Sequence, residues 1–176
     1  PSVYNSVTEG KVPSLKNQGS YGTCWAFAAV GASESSLIAQ GKATTDIDLS
    51  ERHLAYFFYN KGETGDVLGG TVGDYNTGLT GNYMNQGGNS LFTMWHLASW
   101  AGLVEESVAP YEGIETALIS NTANVYGSSA YHLQNAYIIN KTNTDVVKQA
   151  IMDYGSVAMA YHAVQGASNY DKPIAG

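Results

Sequence analysis

One cysteine, Cys24, stands in this chain of 176 residues, at the point where an irregular, glycine-punctuated stretch gives way to helix. A single thiol excludes an intramolecular disulfide and every multi-cysteine metal site. The fold must therefore rest on an ordinary buried core, which a chain of this length can build as one domain or as two small lobes sharing an interface. Whatever Cys24 does, it does as a thiol.

The charge balance narrows the partners. Eight basic residues stand against 15 acidic ones, a formal charge of −7, and binding to a phosphate backbone runs on Lys and Arg counterion release. Nucleic acid is excluded on that ground. No apolar run approaches the ~20 residues that span a bilayer, and Pro1-Ser2-Val3-Tyr4 has neither a basic segment nor an apolar stretch after it, so any targeting signal is expected to have been removed already. Only 13% of residues are charged, against an average of about 25%, which predicts a polar but weakly charged surface.

Periodicity organises the chain. Residues 1 to 23 read as irregular or extended, punctuated by Pro13, Gly10, Gly19 and Gly22. A first helix is expected from Trp25 to Gln40, with Phe27, Val30, Gly31, Leu37 and Ile38 on one face and Gly41 ending it. Ser50 caps a second from Glu51 to about Asn60, with Leu54, Phe57 and Phe58 for the core. Residues 61 to 88 are rich in Gly, Thr, Asn and Asp and read as a long ordered loop. Asn89 or Ser90 then caps a third helix to about Ala101, with Leu91, Met94, Trp95 and Ala98 inward and Gly102 as terminator. Ala136 to Asn140 and Val157 to Tyr161 read as strands, and Thr144 caps a helix from Asp145 to Tyr154 between them. The resulting fold class is α+β.

The setting of Cys24 carries the chemistry. A thiol at a helix start lies in the positive end of the macrodipole, which favours thiolate, the form that attacks carbonyl carbon. Gly19-Ser20-Tyr21-Gly22-Thr23 supplies a compact turn whose backbone can approach a substrate closely. Gln18, six residues upstream, can fold back so that its side-chain NH₂ joins the Cys24 N–H in an oxyanion hole, where each donor is worth ~2.7 to 4 kcal/mol.

The segment NQGSYGTCWAF resembles the nucleophile region of papain-like cysteine peptidases. LSERHL at Leu49 to Leu54, NQGGNS at Asn85 to Ser90, APYEG at Ala109 to Gly113 and GSVAM at Gly155 to Met159 resemble later segments of that family, in order. The resemblance implies a two-lobe fold, with a helical lobe at about 15–118 and the start of a β-rich lobe in 1–14 and 119–176, incomplete in this chain. It implies Cys24 as nucleophile and Gln18 as oxyanion donor. It places Gly22 beside the pocket preceding the scissile bond, Gly87 and Gly88 along an extended substrate, and Asn89, Ser90, Leu91 and Ala160 around the main side-chain pocket. Trp25 would pack beside the thiol, and Glu34 matches a structural acidic position. No metal or organic cofactor is required; Asp66 and Asp74 lack ordered calcium-ligand spacing and read as solvated loop acids.

Two departures have consequences. Tyr21 stands where animal and plant enzymes carry a disulfide cysteine, and Thr23 replaces the usual Ser or Ala, so the cleft loop is expected to be held by packing alone. Together with the long Gly-rich insertion, these resemble the bacterial branch of secreted or cell-surface peptidases, often joined to further surface domains.

A thiol peptidase also needs an imidazole and an orienting amide or carboxylate. His53 and His96 read as partly exposed helix residues, and His132 precedes a strand. His162 lies at the family's usual downstream distance of about 130 to 150 residues, but it falls directly after the Gly155 to Met159 strand, whereas the family's base comes after a long connection. It is the weaker candidate. No Asn-Ser-Trp-Gly segment is present. The expectation is an endopeptidase acting on polypeptide, with His and Asn supplied by a following segment or by a C-terminal fragment of the same precursor. The rival readings are an inactive papain-like binding or scaffold module and a Cys-His hydrolase of cell-wall amides.

Overall fold

The computed structural model describes residues 3–60, 82–111 and 119–161. Five α-helices and one 3₁₀ turn lie in these segments: α1 (Cys24–Ala39), α2 (Glu51–Tyr59), the turn Tyr83–Asn85, α3 (Ser90–Ala98), α4 (Thr122–Gly127) and α5 (Thr144–Tyr154).

α1 is the centre of the molecule, with α2 and α3 against it and α5 on a further side. It therefore lacks the single apolar stripe that its sequence suggested. Trp25, Ala26, Val30, Glu34 and Ser35 are fully buried, while Phe27, Gly31, Leu37 and Ile38 are half-buried. The helix stops as expected at Gly41, whose φ of +68° suits glycine. The Gly41 N–H meets the Ile38 carbonyl at 2.9 Å and the Lys42 N–H meets that of Leu37 at 2.9 Å, the paired bonds of a Schellman ending.

α2 begins at the expected cap, the Ser50 hydroxyl accepting from the His53 N–H at 2.9 Å. Burial runs from Glu51 through Phe58, because α2 is covered by α1, α3 and the 83–85 turn. His53 and His96 are consequently core residues, at 0% and 4% exposure, and the expectation of partly exposed helix histidines is corrected.

α3 turns out the opposite face from the one expected. Thr93, His96 and Leu97 are buried, while Leu91 and Trp95 are 45% and 60% exposed. Stacking decides the rotation: Phe92 lies parallel to Phe58 with centroids 5.1 Å apart, and His96 meets the same ring edge-on at 5.9 Å. The helix also stops at Ala98, three residues early, with Trp100 in the left-handed region at φ 72°. Gly102 serves close packing rather than termination, since a Cβ there would lie 2.2 Å from that of Ser129.

Among the described residues no strand forms, and extended pairing is confined to the single bridges Leu49–Glu105 and Leu103–Tyr131. No strand forms at Ala136 to Asn140 or at Val157 to Tyr161, where strands were expected. Tyr137, Ile138, Met159 and Tyr161 are all more than half exposed, and apolar sequence makes a strand only where another strand offers its backbone. α4, which short polar Thr122-Ala-Asn did not suggest, forms because Tyr126 packs on His53 and Phe57. α5 is capped one residue earlier than expected, by Asn143 accepting from Val146 at 3.2 Å. Gly155 ends it where a Cβ would strike the Lys11 carbonyl at 2.5 Å, so the N-terminal segment crosses α5 there.

Candidate active site

Thr23 is the cap residue of α1, but its side chain makes no capping bond. Its hydroxyl lies 2.7 Å from that of Tyr111, and Tyr111 donates to the Gln18 carbonyl at 2.8 Å. A phenol has one proton, so Thr23 is the donor of the pair. The Thr23 side chain takes none of the first-turn N–H groups of α1, although the Thr23 carbonyl accepts from the Ala26 and Phe27 N–H groups at 2.9 and 3.1 Å. Cys24 opens the helix with an exposed thiol, in the position where aligned backbone dipoles favour negative charge.

Gln18 is half-buried, and its Nε2 donates to the Tyr21 carbonyl at 2.8 Å. That bond uses one amide hydrogen and fixes the other, and it closes the 18–21 turn three residues before the nucleophile. The loop is not held by packing alone, as its lack of a disulfide suggested. Asn85 accepts from the Gly22 N–H at 3.0 Å, and Tyr21 and Phe27 meet the Tyr111 ring edge-on at 6.5 and 5.0 Å. One side-chain bond and a tyrosine anchor take the place of the covalent link.

The other wall is Gly87 and Gly88. Gly88 has φ +154° and approaches Trp25 so closely that a Cβ would come within 2.3 Å of the indole. Trp25 is itself held edge-on by Phe58 at 5.5 Å and Tyr59 at 6.1 Å. Tyr59 also donates to the Gly87 carbonyl at 2.9 Å. Asn89 caps α3 through Leu91 and Phe92 at 2.9 and 3.0 Å, so its side chain is engaged structurally. Ser90 and Leu91 are exposed just beyond it.

The structure thus brings Gln18, Gly22, Cys24, Trp25, Gly87 and Gly88 into one connected group. Ala160 is exposed on the segment after α5, and no described contact joins it to that group. Tyr111, Asn85 and Tyr59 were not assigned roles from sequence. Tyr111 lay within a recognised segment, but a phenol reaching two turns across the fold leaves no local pattern.

Glu34, read as structural, lies beneath this site in a charged cluster. Lys16 Nζ lies 2.8 Å from Glu34, 2.8 Å from Asp48 and 3.1 Å from Glu51, and donates to the Leu49 carbonyl at 2.7 Å. Burial pulls Lys16 down, but Glu51, Asp48 and Glu34 outweigh it and the net shift is upward. Burial pushes Glu51 up to about 7 despite Lys16, and raises Glu34 as well. One cation cannot neutralise three carboxylates, so the lysine stays charged and a buried carboxyl retains a proton into the neutral range.

The buried histidines do not serve the thiol. Neither ring nitrogen of His96 has a hydrogen-bond partner, and the pKa of His53 gains only a minor upward pull from the Val125 backbone. Burial, and for His53 the nearby His96, push them down to about 3 and about 4. His132 is stacked on Trp100 with centroids 4.5 Å apart. His162 and the loop acids Asp66 and Asp74 lie outside the described residues. Among the described residues no group of three or more His, Cys, Asp or Glu is placed to hold a metal, and no helix is long and apolar enough to cross a membrane.

A family model described as papain family cysteine protease matches residues 1–175. The chain belongs to that family. A cysteine protease of Blomia tropicalis is 28% identical over 171 residues, which is 97% of this chain and 44% of that protein. The structure of the protease and lectin-like domains of Cwp84, a surface-layer-associated protein of Clostridium difficile, is 27% identical with a TM-score of 0.64, covering 86% of this chain and 30% of that one. The bromelain protease of Ananas comosus in complex with the E64 inhibitor superposes with a TM-score of 0.61 at 20% identity, covering 87% of this chain and 58% of that one, a likeness of fold. The chain spans less than half the length of the curated relatives it matches.

Proposed function

We propose that this chain carries the nucleophile of a cysteine endopeptidase, with its helical lobe at about 15–118 and the start of a β-rich lobe in 1–14 and 119–176. The observation that carries the reading is an exposed thiol opening a buried helix, between a tethered glutamine turn and a Gly-Gly strip laid on the neighbouring tryptophan. The Cys24 sulfur bonds to the substrate carbonyl carbon, and the oxyanion that forms is taken by the Cys24 N–H and the Gln18 amide. The C–N bond then breaks, the leaving amine takes the proton originally on the thiol through an imidazole, and water hydrolyses the thioester. No cofactor enters these steps.

The imidazole and its orienting Asn come from a following segment or a C-terminal fragment of the same precursor. The two buried histidines support this, as do the exposed apolar side chains of Tyr137, Ile138 and Met159, which suit pairing with further strands. Likeness to a surface-layer-associated clostridial protein supports a bacterial, secreted or cell-surface setting with additional surface domains. Asn89, Ser90 and Ala160 border the main side-chain pocket in this reading.

Incubation of the full-length protein with an epoxysuccinyl peptide at mildly acidic pH tests it. Stoichiometric alkylation of Cys24, absent in Cys24→Ala, is expected. An unmodified thiol would instead favour the inactive scaffold.

A further inference from the structure

We propose that Tyr59 is a positioning residue for the substrate backbone, acting by fixing the orientation of the Gly87–Gly88 peptide unit. The inference rests on the peptidase reading above. Gly87 and Gly88 both have positive φ, +77° and +154°, and two successive glycines can rotate the peptide between them at little steric cost. The strip needs an external constraint to present one edge. The Tyr59 hydroxyl supplies it by donating to the Gly87 carbonyl at 2.9 Å.

The consequence follows from peptide planarity. The Gly87 carbonyl and the Gly88 N–H belong to one trans unit, in which the two point in opposite directions. Holding the carbonyl toward Tyr59 at the end of α2 aims the Gly88 N–H away from it. That N–H is then set to donate to a carbonyl of an extended substrate, as strand addition requires. Without the phenol, the unit is free to turn its oxygen outward, and two oxygens would face each other. The Tyr59 ring also meets the Trp25 indole edge-on at 6.1 Å, and Trp25 floors Gly88. Tyr59→Phe removes the hydroxyl bond while leaving the ring.

The test compares full-length wild type with Tyr59→Phe by three readings. Iodoacetamide reports on the thiol alone and should alkylate both at rates within about twofold. Hydrolysis of an extended peptide should show KM raised about three- to tenfold with kcat little changed, the scale of one neutral hydrogen bond. In a peptide series with each backbone carbonyl replaced in turn by methylene, the Phe variant's penalty should vanish for the one carbonyl that pairs with Gly88. A penalty equal across the series, or equal loss of iodoacetamide and peptide reactivity, would show that the hydroxyl acts only on the fold and overturns the proposal. So does a KM unchanged in the variant. Failure of the peptidase reading looks different: wild type takes iodoacetamide but neither hydrolyses nor tightly binds any peptide, and the role of Tyr59 falls with it.

Discussion

Gln18 and Asn85 show what single side chains contribute at this site. Gln18 is oriented by the Tyr21 carbonyl, so Gln18→Ala should lower kcat by about 10²- to 10³-fold, the range for losing one oxyanion donor, with the far-ultraviolet spectrum unchanged. Asn85 acts on the Gly22 loop through one bond. Asn85→Ala should cost about 1 kcal/mol in denaturant unfolding and slow epoxysuccinyl labelling of Cys24, because the loop beside the nucleophile loses its tether. Gly88→Ala meets the Trp25 ring at 2.3 Å, and either the indole or the strip must move. Peptide KM should rise by an order of magnitude or more while iodoacetamide labelling persists. The residues at the centre of these effects were legible in sequence, since a cysteine opening a helix after a Gln and a glycine turn is a local pattern. Asn85, Tyr59 and Tyr111 were not, because each acts on backbone from 28 to 93 residues away.

The existence of α1, α2, α3 and α5, and the end of α1 at Gly41, were readable from caps and glycines, whereas α4, the early stop of α3 and the buried face were not. For α2 the apolar positions and the core coincide, but α3 buries Thr93, His96 and Leu97 and exposes Leu91 and Trp95, because its rotation is set by stacking on Phe58. The expected strands failed for a related reason, as pairing depends on a partner outside the segment. The elements α1 and α2 are joined through Lys16, Glu34 and Glu51, and that junction has a defined pH dependence. Glu51 is held near 7 in the fold against 4.5 for an ordinary glutamate, so the native state binds more protons than the unfolded chain between those values. This group therefore lowers stability as pH rises from about 4.5 to 7. Lys16→Met leaves the buried carboxylates without their cation, at a cost of about 3–5 kcal/mol when both are ionised. Chemical denaturation should find that cost larger at pH 8 than at pH 5, where Glu51 is protonated.

For the molecule as a whole, two opposing titrations meet in the same core. His53 and His96 are held neutral, near 3 and 4 against an ordinary 6.5. The unfolded chain takes up protons that the native state refuses, so their contribution is complete above 6.5 and is lost as pH falls toward those values. Glu51 runs the other way across that window, and Glu34 is shifted in the same sense as Glu51. With two histidines set against Glu51, wild-type stability should fall as pH drops from 6.5 to about 4.5, and His53→Phe should make that fall shallower. The same core anchors Phe57, Tyr126 and Phe58 and so supports the Trp25 and Gly88 contact at the cleft. The central claim, that Cys24 attacks peptide carbonyls, is tested most directly by acid-quenching the full-length protein during turnover of an activated peptide ester and mapping the adduct by mass spectrometry. The account predicts one acyl group, on the fragment containing Cys24 and lost in Cys24→Ala. Turnover with no acyl group on Cys24, or unchanged turnover in Cys24→Ala, would contradict it.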